Sequence, residues 1–303
     1  MTRITDTMIE RSAEFVWLTG SALDQHRMAL FTGGGSRRSA RAALDAHRTD
    51  DGGFAFAVEP DVKGPDPQPI SAMSALEILD EIDSFDQPTA ASVCDWLSQY
   101  TTGDGGVPDL LTTIERYPRP PWVEAPPQDR GGLLTTARIT GLLHRHGVDH
   151  PWVEGATAFC RDAIGRLEAT HPYEVLSVNV FLDHEPDRDW ARSASKRIGE
   201  LVRDTGLVLL DPANPEGIAT PPGYAEREFT FACDFAPSPR SLSAGWFTDA
   251  ELRTALGHLA SEQREDGGWP IHYRLWNPAI EQQARPGFTL AALKTLRAWD
   301  QAV

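Results

Sequence analysis

The chain is poor in cysteine, has no surplus of basic residues and contains no long apolar run. Its three cysteines, Cys94, Cys160 and Cys233, lie far apart and form no Cys-x-x-Cys pair. That spacing rules out a disulfide framework and fits a reducing compartment. Against 28 Lys and Arg stand 44 Asp and Glu, a formal net charge of -16. Phosphate backbones require a concentrated basic face, so neither nucleic acid nor an anionic membrane surface is an expected partner. Local basic groups, Arg37, Arg38 and Arg41 or Lys63, Arg116 and Arg119, leave room only for a small anion. No stretch approaches the ~20 apolar residues of a membrane span. Met1 to Asp6 has no apolar run after Arg3, so no signal peptide is expected and the location reads as cytoplasmic. There is no Gly-rich phosphate loop, nucleophile elbow or zinc signature, and His144 and His146, two apart, cannot share a helix face as ligands. No metal and no cofactor is expected.

What is present is helical periodicity. After Pro151, the residues Trp152, Ala156, Phe159, Cys160, Ala163, Ile164 and Leu167 recur at three- and four-residue steps, one apolar stripe. Ala72, Leu76, Leu79 and Ile82 repeat it, as do Leu252, Leu256 and Leu259. About eleven helices are expected, near 8–28, 36–48, 70–83, 88–100, 132–146, 151–168, 172–183, 188–204, 248–263 and 286–300, with a turn or two inside 206–247. Thr248 and Glu251 form a capping box, and Pro88, Pro151, Pro172 and Pro286 suit a first helical turn. Phe229 to Phe235 alternates like a short strand, and Asp183-His184-Glu185 reads as surface. The whole chain, 1–303, reads as one all-α domain.

Short and long connections largely alternate. The long ones, near 49–69, 101–131, 205–247 and 264–285, carry most of the prolines. Loops beyond ~15 residues in a compact domain are uncommon and often functional. In a ring of antiparallel helices, alternate connections share one end, so any site is expected among these loops.

Three of the four long loops open on a shared phrase: Asp50-Asp51-Gly52-Gly53-Phe54, Asp104-Gly105-Gly106-Val107, and Gln263-Arg264-Glu265-Asp266-Gly267-Gly268-Trp269. Arg203-Asp204-Thr205-Gly206 is a degenerate fourth. Glycine supplies positive φ and aspartate can bond the amides of the turn. A repeat of roughly fifty residues built on a helix pair marks a helical array. Glutamine, spacer, Asp-Gly-Gly and an aromatic after a Leu-rich helix (Leu256, Leu259) resembles the QW-type repeat of squalene–hopene cyclases and prenyltransferase β subunits. The chain also looks like a group of actinobacterial single-domain proteins, through Glu59-Pro60-Asp61, Gly64-Pro65-Asp66, Gln68-Pro69 and Asp234-Phe235-Ala236-Pro237-Ser238-Pro239. The resemblance implies an α/α toroid (barrel) of six inner and six outer helices. It implies little about chemistry, because the repeat ties helices together.

A class II terpenoid cyclase protonates an alkene with an Asp-x-Asp-Asp acid, and this chain has none. A prenyltransferase needs an Asp, Cys and His zinc site. Here Cys233 and Asp234 are adjacent, and Phe288-Thr289 stands where the family carries His. The remaining acids are in the long loops. Asp234, between Cys233 and Phe235 in an apolar run, is expected to be desolvated and to suit a general acid, or else to cap a turn before Pro237. Glu59, Asp61 and Asp66 follow in a proline-stiffened loop as assisting carboxyls. Phe54, Phe56, Gln68, Phe231, Phe235, Trp246, Trp269 and His272 are expected to line a hydrophobic substrate cavity. The reading is an acid-initiated cyclisation or isomerisation of an isoprenoid-type small molecule. A carbohydrate-active toroid with paired carboxylates and a non-catalytic binding module are the alternatives.

Overall fold

A computed structural model describes residues 4–215, 218–226 and 228–301. The twelve α-helices among these residues are α1 (Asp6–Thr19), α2 (Ala22–Phe31), α3 (Arg37–Asp45), α4 (Pro69–Glu81), α5 (Gln87–Ser98), α6 (Leu133–Arg145), α7 (Pro151–Arg166), α8 (Pro172–His184), α9 (Arg188–Asp204), α10 (Ala232–Phe235), α11 (Asp249–Ser261) and α12 (Pro278–Asp300). Among the described residues no strand forms; three isolated bridges join Arg48 to Phe54, Leu209 to Phe231 and Tyr224 to Tyr273.

The local signals explain most boundaries and three departures. The expected helix 8–28 is two helices. Ser21 starts the second by exchanging side-chain and backbone bonds with Asp24, a capping box that outcompetes continuation through Gly20. Pro286 lies inside α12, not at its start. The helix begins two turns earlier, where Asn277 accepts from the Ala279 amide and Pro278 takes the first turn. The strand-like run ends after one bridge because the Asp234 carboxylate accepts from the Phe231 amide at 2.7 Å and winds α10. At α11 the box of Thr248 and Glu251 forms as the spacing suggests.

The chain divides into two units. The central unit, Ser36–Glu168 with Leu176–Ala191, holds α3 to α7 and most of α8. Within it α4 is buried on nearly every side, through Ala72, Ala75, Leu76 and Leu79, and packs on α3, α5 and α6, while α6 packs on α7. A helix enclosed all round needs the nearly uniform apolar and small residues found there. The terminal unit, Met1–Gly35, Ala169–Val175 and Arg192–Val303, holds α1, α2, most of α9 and α10 to α12. There α12 packs on α1, α2 and α11 through Leu290, Leu293 and Leu296. The Trp299 indole donates to Ala236 O at 2.9 Å, so even this aromatic has its polar atom satisfied.

The three Asp-Gly-Gly turns have one geometry. Asp51, Asp104 and Asp266 each accept from the amide of the second glycine, at 3.2, 3.1 and 3.0 Å. The first glycines, Gly52, Gly105 and Gly267, have φ of 97°, 93° and 90°, which a side chain would strain. Each also abuts a helix: a Cβ there would meet Ser92 Oγ, Gly155 O or Arg11 O at 2.5, 2.8 or 2.2 Å. Each second glycine lies against the aromatic four residues further along that same helix, Trp96, Phe159 or Phe15. The residue after the pair, Phe54, Val107 or Trp269, is at most 2% exposed.

Candidate functional site

Each unit holds a cluster of buried carboxyls with their partners. In the terminal unit the segment around Tyr224 pairs with that around Tyr273: Ala225 N–H donates to His272 O at 3.0 Å and Arg274 N–H to Gly223 O at 2.9 Å. The pairing sets His272 Nδ1 2.6 Å from Glu228 Oε2. The end of α11 supplies His258 and the following Glu262, whose carboxylate lies 3.6 Å from His272 Nε2 and 3.8 Å from His258 Nε2. Asp234 enters from α10, which packs on α11.

Burial raises the Asp234 carboxyl above the ordinary range; the Phe231 amide and the charge of His272 oppose it. Burial also raises Glu262, to about 7, with Glu228 and Asp234 adding to it and His272 opposing. For His272 burial disfavours the cation, but the Glu228 hydrogen bond and the charges of Glu262 and Asp234 outweigh it, and the net shift is upward. His258 moves the other way, by burial and then by His272. Neighbouring groups thus have their proton affinities pushed apart, the arrangement that acid–base work needs. The Phe231 ring lies 4.5 Å from that of His258, and Tyr224, lifted by burial to about 12, accepts from the Thr230 hydroxyl and packs on Tyr173 at 5.2 Å.

The central unit holds the second cluster. Phe56 and Ala57 both sit in the left-handed region, at φ of 55° and 59°, and Phe56 N–H donates to Gly64 O at 3.0 Å. Two strained non-glycine residues in a row curl the loop and bring Glu59 to α4, where the Ser74 hydroxyl donates to it at 2.9 Å. Burial lifts Glu59 to about 7 against that bond, with Asp61 and Glu77 adding to the rise. Burial lowers Lys63, and Asp61 and Glu59 oppose the shift. Glu77 is paired with Arg138, whose Nε donates to Ser177 Oγ at 3.1 Å.

The other expected site residues are distributed as follows. In the central unit Asp66 pairs with Arg116 at 3.2 Å, Phe54 is fully enclosed and Phe56 is 49% exposed. Gln68 is a loop staple, its amide donating to Thr113 Oγ1 and accepting from Leu111 N–H, both at 2.7 Å. In the terminal unit Phe235 and Trp246 have ring centroids 6.2 Å apart, and the Trp246 indole donates to Ser195 Oγ at 3.0 Å. Trp269 donates to Leu259 O at 2.7 Å from inside its turn. Asp183-His184-Glu185 is no surface patch: Glu185 is 1% exposed and paired with Arg161, because α8 ends against α7's arginine. Of the groups suggested for an anion, Arg37 pairs with Asp83, Arg41 with Asp45 and Asp86, and Arg116 with Asp66, while Arg119 donates to backbone carbonyls. Glu228, Glu262 and His258 escaped sequence reasoning. His258 and Glu262 are four apart and readable as one helix face, whereas Glu228 reaches His272 only through a loop pairing.

Among the described residues no group of three or more His, Cys, Asp or Glu could hold a metal ion, and no helix is long and apolar enough to cross a membrane. A hollow of about 310 Å³ lies between α9 and Trp246, and one of about 430 Å³ beside Tyr100. Neither is lined by Asp234 or Glu59.

No family model and no curated protein matches the chain. Solved structures do. A protein from Actinoplanes is 18% identical, covers 96% of this chain and 98% of its own, and aligns with a TM-score of 0.59. The type II terpene cyclase MstE from Scytonema, seen with its product merosterolic acid A, is 11% identical, covers 98% of this chain and 87% of its own, and aligns at 0.52. The likeness shows the fold: all-α, of the terpene cyclase-like α/α-toroid class.

Proposed function

We propose that the chain is a terpenoid cyclase-like enzyme that protonates a hydrophobic, isoprenoid-type small molecule, which then cyclises or isomerises. The observation that carries this reading is the Asp234 carboxyl, whose proton affinity burial raises, in the cluster with His272, Glu228 and Glu262. An acid that attacks an alkene must keep its proton until substrate arrives. The Asp234 proton adds to one alkene carbon as the π pair becomes the new C–H bond. The cation left on the other carbon is captured by a second double bond, or loses a neighbouring proton. Either course ends with a proton returned to the cluster, so the reaction consumes no oxidant and no second substrate. The Asp234 carboxylate left by the first step takes up the returning proton, beside the His272 imidazole that Glu228 and Glu262 flank. Phe231, Phe235 and Trp246 supply aromatic faces for the cation. The absence of Asp-x-Asp-Asp makes Asp234 a single-carboxyl solution to the same chemical need.

Glu59 supports a second reading. A carboxyl near 7 suits the general acid of glycoside chemistry, with Asp61 as the nearby carboxylate.

Purified protein incubated with farnesyl, geranylgeranyl and squalene-type substrates is expected to give a cyclised or isomerised product. Asp234→Asn should lower the rate at least about 100-fold, the scale of a lost general acid. No product from the intact chain, or undiminished product from the variant, removes the mechanism. Sugar release from glycosides that is sensitive to Glu59→Gln would establish the second reading in its place.

A further inference from the structure

At the C-terminal end of α6, in the central unit, three buried polar groups stand on neighbouring turns of α6, α7 and α8. His144 on α6 faces Thr157 of α7, Nε2 to Oγ1, at 2.9 Å, and its ring lies 5.7 Å from that of Phe181 on α8. One turn beyond Thr157 is Arg161, and one turn beyond Phe181 is Glu185, whose amide bonds Phe181 O at 2.8 Å. Arg161 grips Glu185 by one prong only, Nη2 to Oε1 at 2.5 Å. The second prong, Arg161 Nε with Glu185 Oε2, stays open, and both atoms are buried without a protein partner. So is His144 Nδ1.

The tautomer follows from the neighbours. Thr157 spends its hydroxyl hydrogen on Val153 O at 2.6 Å, so it can only accept from His144. The imidazole therefore carries its proton on Nε2 and presents a bare lone pair at Nδ1. Burial lowers the proton affinity of His144, with Glu185 opposing and Arg161 reinforcing, which favours the neutral ring. The three open groups are one N–H donor (Arg161 Nε), one carboxylate acceptor (Glu185 Oε2) and one imidazole acceptor (His144 Nδ1).

We propose that this corner is a built binding site for a single ordered water, shared by His144, Arg161 and Glu185. The occupant must accept one hydrogen bond and donate two. Chloride or a carboxylate can only accept, ammonium can only donate, and water does both in that ratio. Each buried group left unpaired costs about 1–3 kcal/mol, and buried waters typically make about three hydrogen bonds. The water then acts as a clasp, joining α6, α7 and the end of α8 where the Arg161–Glu185 fork alone is incomplete.

A crystal structure of the full chain at near-atomic resolution, with nitrogen NMR of the His144 ring, tests the site. The expected result is a lone density peak at hydrogen-bond distance, about 2.7–3.2 Å, from all three atoms. The ring should be neutral with its hydrogen on Nε2, and should cross-relax with a slowly exchanging water. Three results would overturn the proposal: a hydrogen on Nδ1, an imidazolium, or three groups that close on one another with no density between them. Replacement of the peak by bromide in a soak would also overturn it, because the occupant would then be an anion.

Discussion

His272 is clasped between two carboxylates, 2.6 Å from Glu228 on one nitrogen and 3.6 Å from Glu262 on the other. Burial alone would lower the ring's proton affinity; the carboxylates more than offset it. Glu228→Gln removes the hydrogen-bonded anion. The His272 titration followed by NMR should then fall from above the ordinary histidine range toward or below it. A midpoint that does not move would show that Glu228 is not what holds the proton.

Glu59 gives a stability signature with the opposite sign to the usual surface acid. Its folded value of about 7 lies above the unfolded 4.5, so between those values the folded chain binds more protons than the unfolded one. Stability is therefore lost as pH rises from 4.5 to 7, by at most about 3 kcal/mol from this residue. Glu59→Gln keeps a group that can accept from Ser74 and does not ionise. Urea unfolding at pH 5 and pH 8 should show a smaller drop in the variant. Equal drops would mean that Glu59 ionises as if in water.

The last turn is locked by Arg285, which holds both oxygens of Asp266 at 2.7 and 2.8 Å, donates to Trp269 O and lies over Phe15. Asp266→Asn leaves the 8%-exposed arginine with no counter-charge. Breaking one partner of a buried pair is costly; with Asp266 itself 48% exposed, a loss of about 2 kcal/mol is expected. Chemical denaturation measures it, and a change below about 0.5 kcal/mol would reduce the lock to an ordinary surface pair.

Gly267→Ala should cost more than about 2 kcal/mol, through a strained φ and a methyl against the α1 backbone. Gly34→Ala, where an added Cβ meets nothing, should leave stability nearly unchanged. Equal effects at the two sites would contradict the docking of the turn on α1.

The helices and the Asp-Gly-Gly turns could be read from sequence because their causes are local: 3.6-residue periodicity, first-turn prolines, and a glycine that alone tolerates its φ. The aromatics that receive the turns, Phe15, Trp96 and Phe159, were not legible in that role, since nothing in their own segments distinguishes them from ordinary core. Asp234 and His272 drew notice through composition, an acid among phenylalanines and a histidine after a tryptophan. Their partners Glu228 and Glu262 did not, because loop pairing has no period. Pro286 misled for a related reason: a buried proline within a helix and a proline at its start look alike until Asn277 is weighed.

The Asp266 turn finds its receiving helix far earlier in the sequence. Gly267 O accepts from the Ser12 hydroxyl and the Gln263 amide reaches Met8 O, across 255 positions of chain. On a ribosome, α1 emerges well before α11 and α12 and waits, half-clad, for them to be synthesised. The central unit's repeats meet their receivers within some forty to fifty residues, so it can settle while synthesis continues. Translation order thus exposes the α1 surface around Phe15 and Val16 longest, and chaperone contact during synthesis should concentrate there.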